Sequence, residues 1–480
     1  MNDRKGFGSN FGFLMAAVGS AVGLGNIWGF PNKMGANGGF PFLILYLALA
    51  LCCGVIIMLG ELALGRKTGH GAVGAYQSIS KRFKWLGWLG IAAAALIFSF
   101  YSALGGYCLR YVVVNFGNLI GAEFGTNGVG GADVFQGLLS QPDVSIAFAL
   151  AFMLITMLVV MSGVGGGIER VCSVGMPALF FILIICIIRS CTLPGAADGL
   201  KYMFVPGWAV ANGIIDEAPS FWKVLTAAGG QMFFSLSLGA GVMITYGSYL
   251  DKKQDLGKSA MIIVGMDTVV ALMAGLCVIP GRFALDPSGD LGGPELLFIT
   301  MQNVFDKMGP AGPVFGILFY LLVFFAAISS SISMLEVIVA HFCDKAREKG
   351  KGDRRKLYSA IVVVICAALC ALVCADGMGS NHLSPAELLG LAGAKLPGWS
   401  TSWLGLFDSV AEGLLMPLGA LLMCLMISWE LKPDTLRQEI LLNGENRPWV
   451  YDFFRLCVKY ITPLCMLMIL YGQISDFFIA

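Results

Sequence analysis

The stretch GSAVGLGNIWGFP, residues 19–31, follows the apolar run FGFLMAA and leads through NKMGANGG into a second run, FPFLILYLALALCCGVIIML. Its thirteen residues hold four glycines, a serine, an asparagine and a proline. Glycine loses the most backbone freedom on ordering and proline lacks an amide donor, so such a segment ends or unwinds a helix. What that means depends on whether the segment lies in water or in lipid. Composition answers this. Apolar residues make up 57% of the 480-residue chain, charged residues 13%, and the mean hydropathy is +0.79. A soluble domain carries about 25% charged residues. The chain is therefore read as a polytopic membrane protein.

Apolar stretches of roughly 20 residues are needed to cross the hydrocarbon. Eleven candidates run near 10–31, 40–64, 86–114, 145–162, 171–188, 222–247, 260–280, 313–342, 357–374, 406–429 and 449–472. Basic residues choose the side. Lys67, Lys81, Arg82 and Lys84 share one loop, Lys252, Lys253 and Lys258 another, and seven Lys/Arg between 345 and 356 a third. All three lie on the side of the N-terminus, which the positive-inside rule makes cytoplasmic. An odd number of spans then puts the C-terminus outside. The first apolar run lacks a small-residue cleavage site and is expected to target the chain uncleaved. Within the outer loop 281–312, PELLFITMQNVFDKM reads as a short helix over the outer face.

The opening stretch falls in span 1. Span 6 carries a counterpart, GGQMFFSLSLGAGVMITYGSY, with Ser235, Ser237, Gly239 and Gly241 in mid-run. An odd five-span unit used twice enters the membrane in opposite senses, so spans 1–5 and 6–10 read as an inverted repeat. One transporter domain would cover 1–480, with repeats near 10–190 and 220–430 and an appended helix near 449–472. Backbone groups freed by a break survive at that depth only when buried in protein or lining a cavity. Matching breaks in two halves point to a transporter's midplane site. Glycines that merely allow close helix packing are the competing reading, and Gly19-x-x-x-Gly23 fits it alone. Packing, however, does not require Asn26 or Pro31.

Other polar residues converge on the same depth. Span 8 places Ala326, Ser329, Ser330 and Ser333 on one helical face. Asp267 stands inside span 7, where an acid is costly unless paired. Glu61, near the inner end of span 2, reads equally as structural or site-supporting. The 14 cysteines form no CxxC or Cys/His metal spacing, and Cys366, Cys370 and Cys374 line one face as packing residues. A net charge of +1 with no basic stripe excludes a nucleic-acid partner. His70, His341 and His382 are scattered, and no nucleophile–base or metal constellation supports an enzyme.

GSAVGLGNIWGFP with NGG and ELALGR, then FYSALGGY, GIERVCSVGMP, GQMFFSLSLGAGVMITYGSY, FFAAISSSIS and VKYITP in order, resembles the neurotransmitter:sodium symporter family over essentially the whole chain. The resemblance implies an all-α bundle of eleven helices with spans 1 and 6 broken, and sodium as coupling ion. One sodium site would use Ala21, Asn26, Ser235 and Asp267 with the substrate carboxylate. The other would use carbonyls of Gly19, Val22 and Ala326 with the hydroxyls of Ser329 and Ser330. An amino acid would lie between Ser20, Ala21, Leu24 and Gly25 and the facing Phe234, Ser235 and Ser237. Tyr101 would hold its carboxylate; Ile97, Ala240, Ser330, Ser333 and Met334 would line the remainder. The inner gate would be Arg4, Tyr249 and Asp344.

Two departures stand out. The family's arginine before Phe-Pro is Gly29 here, although its acidic partner Asp408 remains, and Lys33 one turn on is the candidate substitute. Asp267 stands where many relatives have asparagine, which implies chloride-independent transport. Ala240, where some relatives carry an aromatic, implies room for hydrophobic or aromatic L-amino acids. A non-transporting amino-acid sensor on this fold, or a symporter of another small zwitterion, is the alternative. The expected location is a bacterial inner membrane, with lipid, sodium and the substrate as partners and no oligomeric state assigned.

Overall fold

The computed structural model describes residues 6–126, 128–286, 293–390, 398–431, 434–441 and 448–478. Nine helices among the described residues are long and apolar enough to cross a bilayer: Phe40–Thr68, Leu86–Ile120, Pro142–Met161, Val164–Cys191, Leu256–Leu285, Gly309–Glu348, Arg355–Asp376, Trp403–Glu430 and Pro448–Ser475. They are spans 2–5 and 7–11. Span 1 is a bent pair, Asn10–Ala21 and Gly25–Ala36, angled by 44°. Span 6 is two shorter pieces, Phe221–Leu236 and Val242–Gly247, each too short to cross alone. The eleven expected segments are thus all helical, with the two breaks where the glycine-rich runs lie.

Spans 3 and 8 form the most extensive helix pair, with spans 4 and 9 packed against them. Lipid offers no hydrophobic drive between helices, so close packing relies on small residues. A Cβ at Gly106 of span 3 would meet the Ala149 backbone of span 4 at 2.5 Å. Cys366, Cys370 and Cys374 are buried together on one face of span 9.

Several boundaries differ from expectation. Span 8 extends to 40 residues, about 60 Å of helix, far beyond the hydrocarbon. Span 5 starts at Val164 rather than near 171, because the run VGGGIE continues the helix despite its glycines. The outer helix expected over PELLFITMQNVFDKM is present as Gly293–Glu295, Leu296–Thr300 and Met301–Lys307 in unbroken succession. Short helices at Ala72–Ile79, Gly131–Leu139, Ala196–Phe204, Pro385–Leu388 and Asp434–Leu441 had no sequence signal, being too brief to establish a period.

Candidate substrate and cation site

Span 1 leaves helical geometry at Val22, whose ψ is 104°. The freed backbone is then shared among neighbouring spans. Asn26 Oδ1 accepts the Gly23 N–H at 3.0 Å, and the Tyr101 hydroxyl lies 2.7 Å from the Leu24 amide. Gln231 Nε2 donates to the Gly25 carbonyl at 2.6 Å. In span 6, Ser237 (φ 52°), Gly239 (φ 81°) and Gly241 (φ 74°) occupy the left-handed region. Glu61 Oε1 accepts the Gly239 N–H at 2.7 Å, so this acid caps the break from span 2. The Ser237 hydroxyl donates to the Ser20 carbonyl at 3.1 Å and joins the two breaks directly.

Asp267 is the hub beside them. Its Oδ1 accepts from Asn26 Nδ2 at 2.8 Å, and its Oδ2 from the Ser235 hydroxyl at 2.8 Å and the Tyr46 hydroxyl at 3.3 Å. All four residues are fully buried. The three donors are neutral: they solvate the carboxylate's charge without cancelling it. An acid at mid-span costs roughly 3 kcal/mol to insert, so this cluster suits a cation.

A second oxygen cluster lies where span 8 meets the end of the inner half of span 1. The Ser330 hydroxyl sits 3.1–3.4 Å from the carbonyls of Gly19, Ser20 and Val22. Ser329 Oγ is 3.4 Å from the Val22 carbonyl and 3.0 Å from that of Ala326. A hydroxyl has one proton and satisfies one of these acceptors at a time. The remaining oxygens converge as a ring of hard donors, the ligand set small hard cations prefer. Ser20 donates to Ser333 at 2.7 Å, which donates to the Ser330 carbonyl at 2.7 Å, tying the ring to span 8.

The apolar residues expected around the substrate, Ile97, Ala240 and Met334, are all buried in the same core. Tyr101 and Phe234 meet edge-to-face across the break, ring centroids 6.4 Å apart. Ala21 is the last helical residue of the inner half, and Leu24 and Gly25 open the outer half.

The expected gate residues have the following partners among the described residues. Lys33 Nζ pairs with the Glu412 carboxylate of span 10, not with Asp408. Asp408 precedes Glu412 by one helical turn and interacts with it. At the inner end, the Tyr249 hydroxyl donates to Glu336 Oε1 at 2.6 Å, and Arg355 grips the same carboxylate at 3.1 Å from Nη2. Asp344 accepts the Gly71 N–H at 3.1 Å. Arg4 lies outside the described residues. Sequence reasoning missed Tyr46, Gln231, Glu336, Arg355 and Glu412. Only the two buried acids had a signal, each being a lone charge in an apolar run.

The sequence and the fold match known proteins. The profile of the sodium:neurotransmitter symporter family matches residues 4–127 and 133–478. The chain belongs to that family. It is a multi-pass, sodium-dependent transporter and not an enzyme. It is 36% identical over 479 residues to YhdH of Bacillus subtilis, an uncharacterized sodium-dependent transporter, covering 97% of each chain. It is 28% identical to the uncharacterized sodium-dependent transporter MJ1319 of Methanocaldococcus jannaschii, over 99% of this chain and 91% of that one. The crystal structure of MhsT in complex with L-phenylalanine superposes with a TM-score of 0.83 at 34% identity, covering 98% of this chain and all of that one. A symporter's broken helices account for what packing alone leaves unexplained: the polar side chains of spans 1, 3, 6, 7 and 8 meet at the breaks.

Proposed function

We propose that this family member imports hydrophobic or aromatic L-amino acids with sodium, by alternating access around the two breaks and without chloride. The observation that carries this reading is the Asp267 cluster: a buried carboxylate with neutral donors only, beside two unwound helices. One sodium ion would lie among Asp267, Asn26, Ser235, the Ala21 carbonyl and the substrate carboxylate. A second would lie within the ring of Gly19, Val22, Ala326, Ser329 and Ser330. The substrate would bridge the breaks, its carboxylate toward Leu24, Gly25 and Tyr101 and its amine toward Ser20, Ala21, Phe234, Ser235 and Ser237. Its side chain would enter the core among Ile97, Ala240, Ser333 and Met334. Alanine at 240 leaves room there, and methionine packs adaptably against rings. MhsT, a similar protein, was crystallised with L-phenylalanine, which supports the substrate class.

A carboxylate at 267 supplies the negative charge near the first sodium that an anion would otherwise bring, which argues for chloride independence. Lys33 with Glu412 and Asp408 would close the outer side. Tyr249, Glu336, Arg355 and Asp344, with Arg4, would close the inner one. The location would be a bacterial inner membrane, and the basic loops favour a cytoplasmic N-terminus and an outside C-terminus.

Thermal unfolding of the purified protein with each of the twenty amino acids, in sodium and in potassium, tests the reading. A ligand at about 100 times its dissociation constant stabilises the folded state by roughly 2.7 kcal/mol. Stabilisation by phenylalanine, tyrosine, tryptophan or leucine, in sodium only, is expected. A response only to small polar amino acids, or equal responses in both salts, would refute the assignment.

A further inference from the structure

The carboxylate of Glu169, near the start of span 5, faces the start of span 1. Its Oε2 accepts the Gly8 N–H at 2.7 Å, and its Oε1 accepts the Ser9 hydroxyl at 2.9 Å. The Ser9 oxygen in turn accepts the Gly12 N–H at 2.9 Å and caps the helix Asn10–Ala21. A Cβ at residue 12 would overlap the Glu169 carboxylate, so the acid lies against the helix only because Gly12 has no side chain. A negative charge at this end also complements the positive pole of the helix.

The same segment is pinned on a second side. Phe7 packs edge-on against Tyr246 and Tyr249 of the inner end of span 6, at 5.7 and 6.2 Å. On its remaining side it borders a groove of about 570 Å³, lined by Phe7, Asn10 and Leu14 and by Lys253, Lys258 and Ile262. The start of span 1 is therefore fastened to spans 5 and 6, and the groove opens beside its first turns, at the near end of span 7. The twelve residues of the inner half of span 1 form a rod of about 18 Å. That rod ends at Ala21, and the carbonyls of Gly19 and Ser20 just before it belong to the oxygen cluster around Ser330.

We infer that Glu169 is a positioning residue: a latch that holds the inner half of span 1 closed and must release its two hydrogen bonds for the site to open inward. The inference rests on the alternating-access reading. Movement of the rod into the groove would carry the carbonyls of Gly19 and Ser20 away from span 8, so release at Glu169 and loss of cation ligands would be one motion.

The test uses the full chain in detergent with a reporter thiol, Ala16→Cys, at a fully buried position of the rod. Its labelling by a hydrophilic thiol reagent is timed in sodium and in potassium, with the unsubstituted chain as background. Sodium is expected to slow labelling of the reporter. A sodium-insensitive reporter would overturn the alternating-access reading and the latch with it. With a sodium-sensitive reporter, Glu169→Ala and Gly12→Ala are each expected to speed labelling in potassium about tenfold. That is equivalent to about 1.4 kcal/mol, near the worth of one charged hydrogen bond. Glu169→Gln, which keeps an acceptor, is expected to fall between, and saturating sodium should restore protection in all three. Gly12→Ala leaves the carboxylate in the chain, so it reports even if Glu169→Ala fails to fold. Unchanged labelling in the variants, or equal acceleration in both salts, would overturn the latch alone.

Discussion

Lys33 and Glu412 show how one substitution relocates an interaction. With glycine at 29, the buried Gln231 occupies the neighbourhood: a Cβ at 29 would stand 2.9 Å from Gln231 Oε1. The cation comes instead from Lys33, one turn further along, and it selects Glu412, which is 8% exposed. Partly shielded pairs are worth more than surface ones, which contribute about 0–1 kcal/mol. Lys33→Ala and Glu412→Gln are therefore each expected to lower initial uptake into proteoliposomes several-fold, Asp408→Asn less so. Wild-type rate and affinity in Lys33→Ala would remove Lys33 from the gate. At the opposite end of the substrate cluster, Asp267→Asn keeps the shape and deletes the charge. Sodium affinity is expected to fall at least tenfold, and uptake to become stimulated by chloride over gluconate. The parent protein should take up substrate equally in both anions. A large loss in gluconate would sink the chloride argument.

Among elements, the broken span 6 makes the strongest demand on its residues. Gly239 is left-handed, and a Cβ there would overlap the Met416 carbonyl of span 10. Left-handed geometry alone costs an L-residue roughly 1–2 kcal/mol. Gly239→Ala should thus leave a membrane-inserted protein that no longer gains thermal stability from sodium and substrate together. Ala240→Phe, by contrast, would fill the proposed side-chain pocket, and should shift preference from aromatic toward small aliphatic amino acids in competition uptake. Span 9 is tied to span 8 by Arg355 on Glu336, whose carboxylate is fully buried. Removing one partner of a buried pair strands the other, at about 3–5 kcal/mol. Arg355→Ala is expected to lower the unfolding temperature sharply, and Arg355→Ala with Glu336→Gln to recover much of the loss. No recovery in the double variant would show that Arg355 acts through packing instead.

On the scale of the whole molecule, the proposed orientation puts the basic loops on the inner face and the longer, helical loops on the outer one. Limited trypsin treatment is expected to cut between Lys345 and Lys356 in inside-out vesicles and to spare that loop in right-side-out ones. The reverse pattern would invert the topology. The chain's own pattern determined the membrane class, the eleven spans and both breaks, and singled out Asp267 and the serine face of span 8; the oxygens expected around them came from the family resemblance. The former are legible because lipid imposes strict rules: length sets the span, charge sets the side, and a polar residue at depth must have a purpose. Tertiary structure alone decided which partners close the network. Tyr46 and Gln231 sit in runs no different from their neighbours', and their roles arise from spans 2 and 6 lying beside the breaks. Lys33 meets Glu412 rather than Asp408, and Glu169 meets Gly8 and Ser9, across 379 and 161 residues of chain. Pairings at such separation follow from how helices pack, a three-dimensional fit of shapes that no local period or composition encodes.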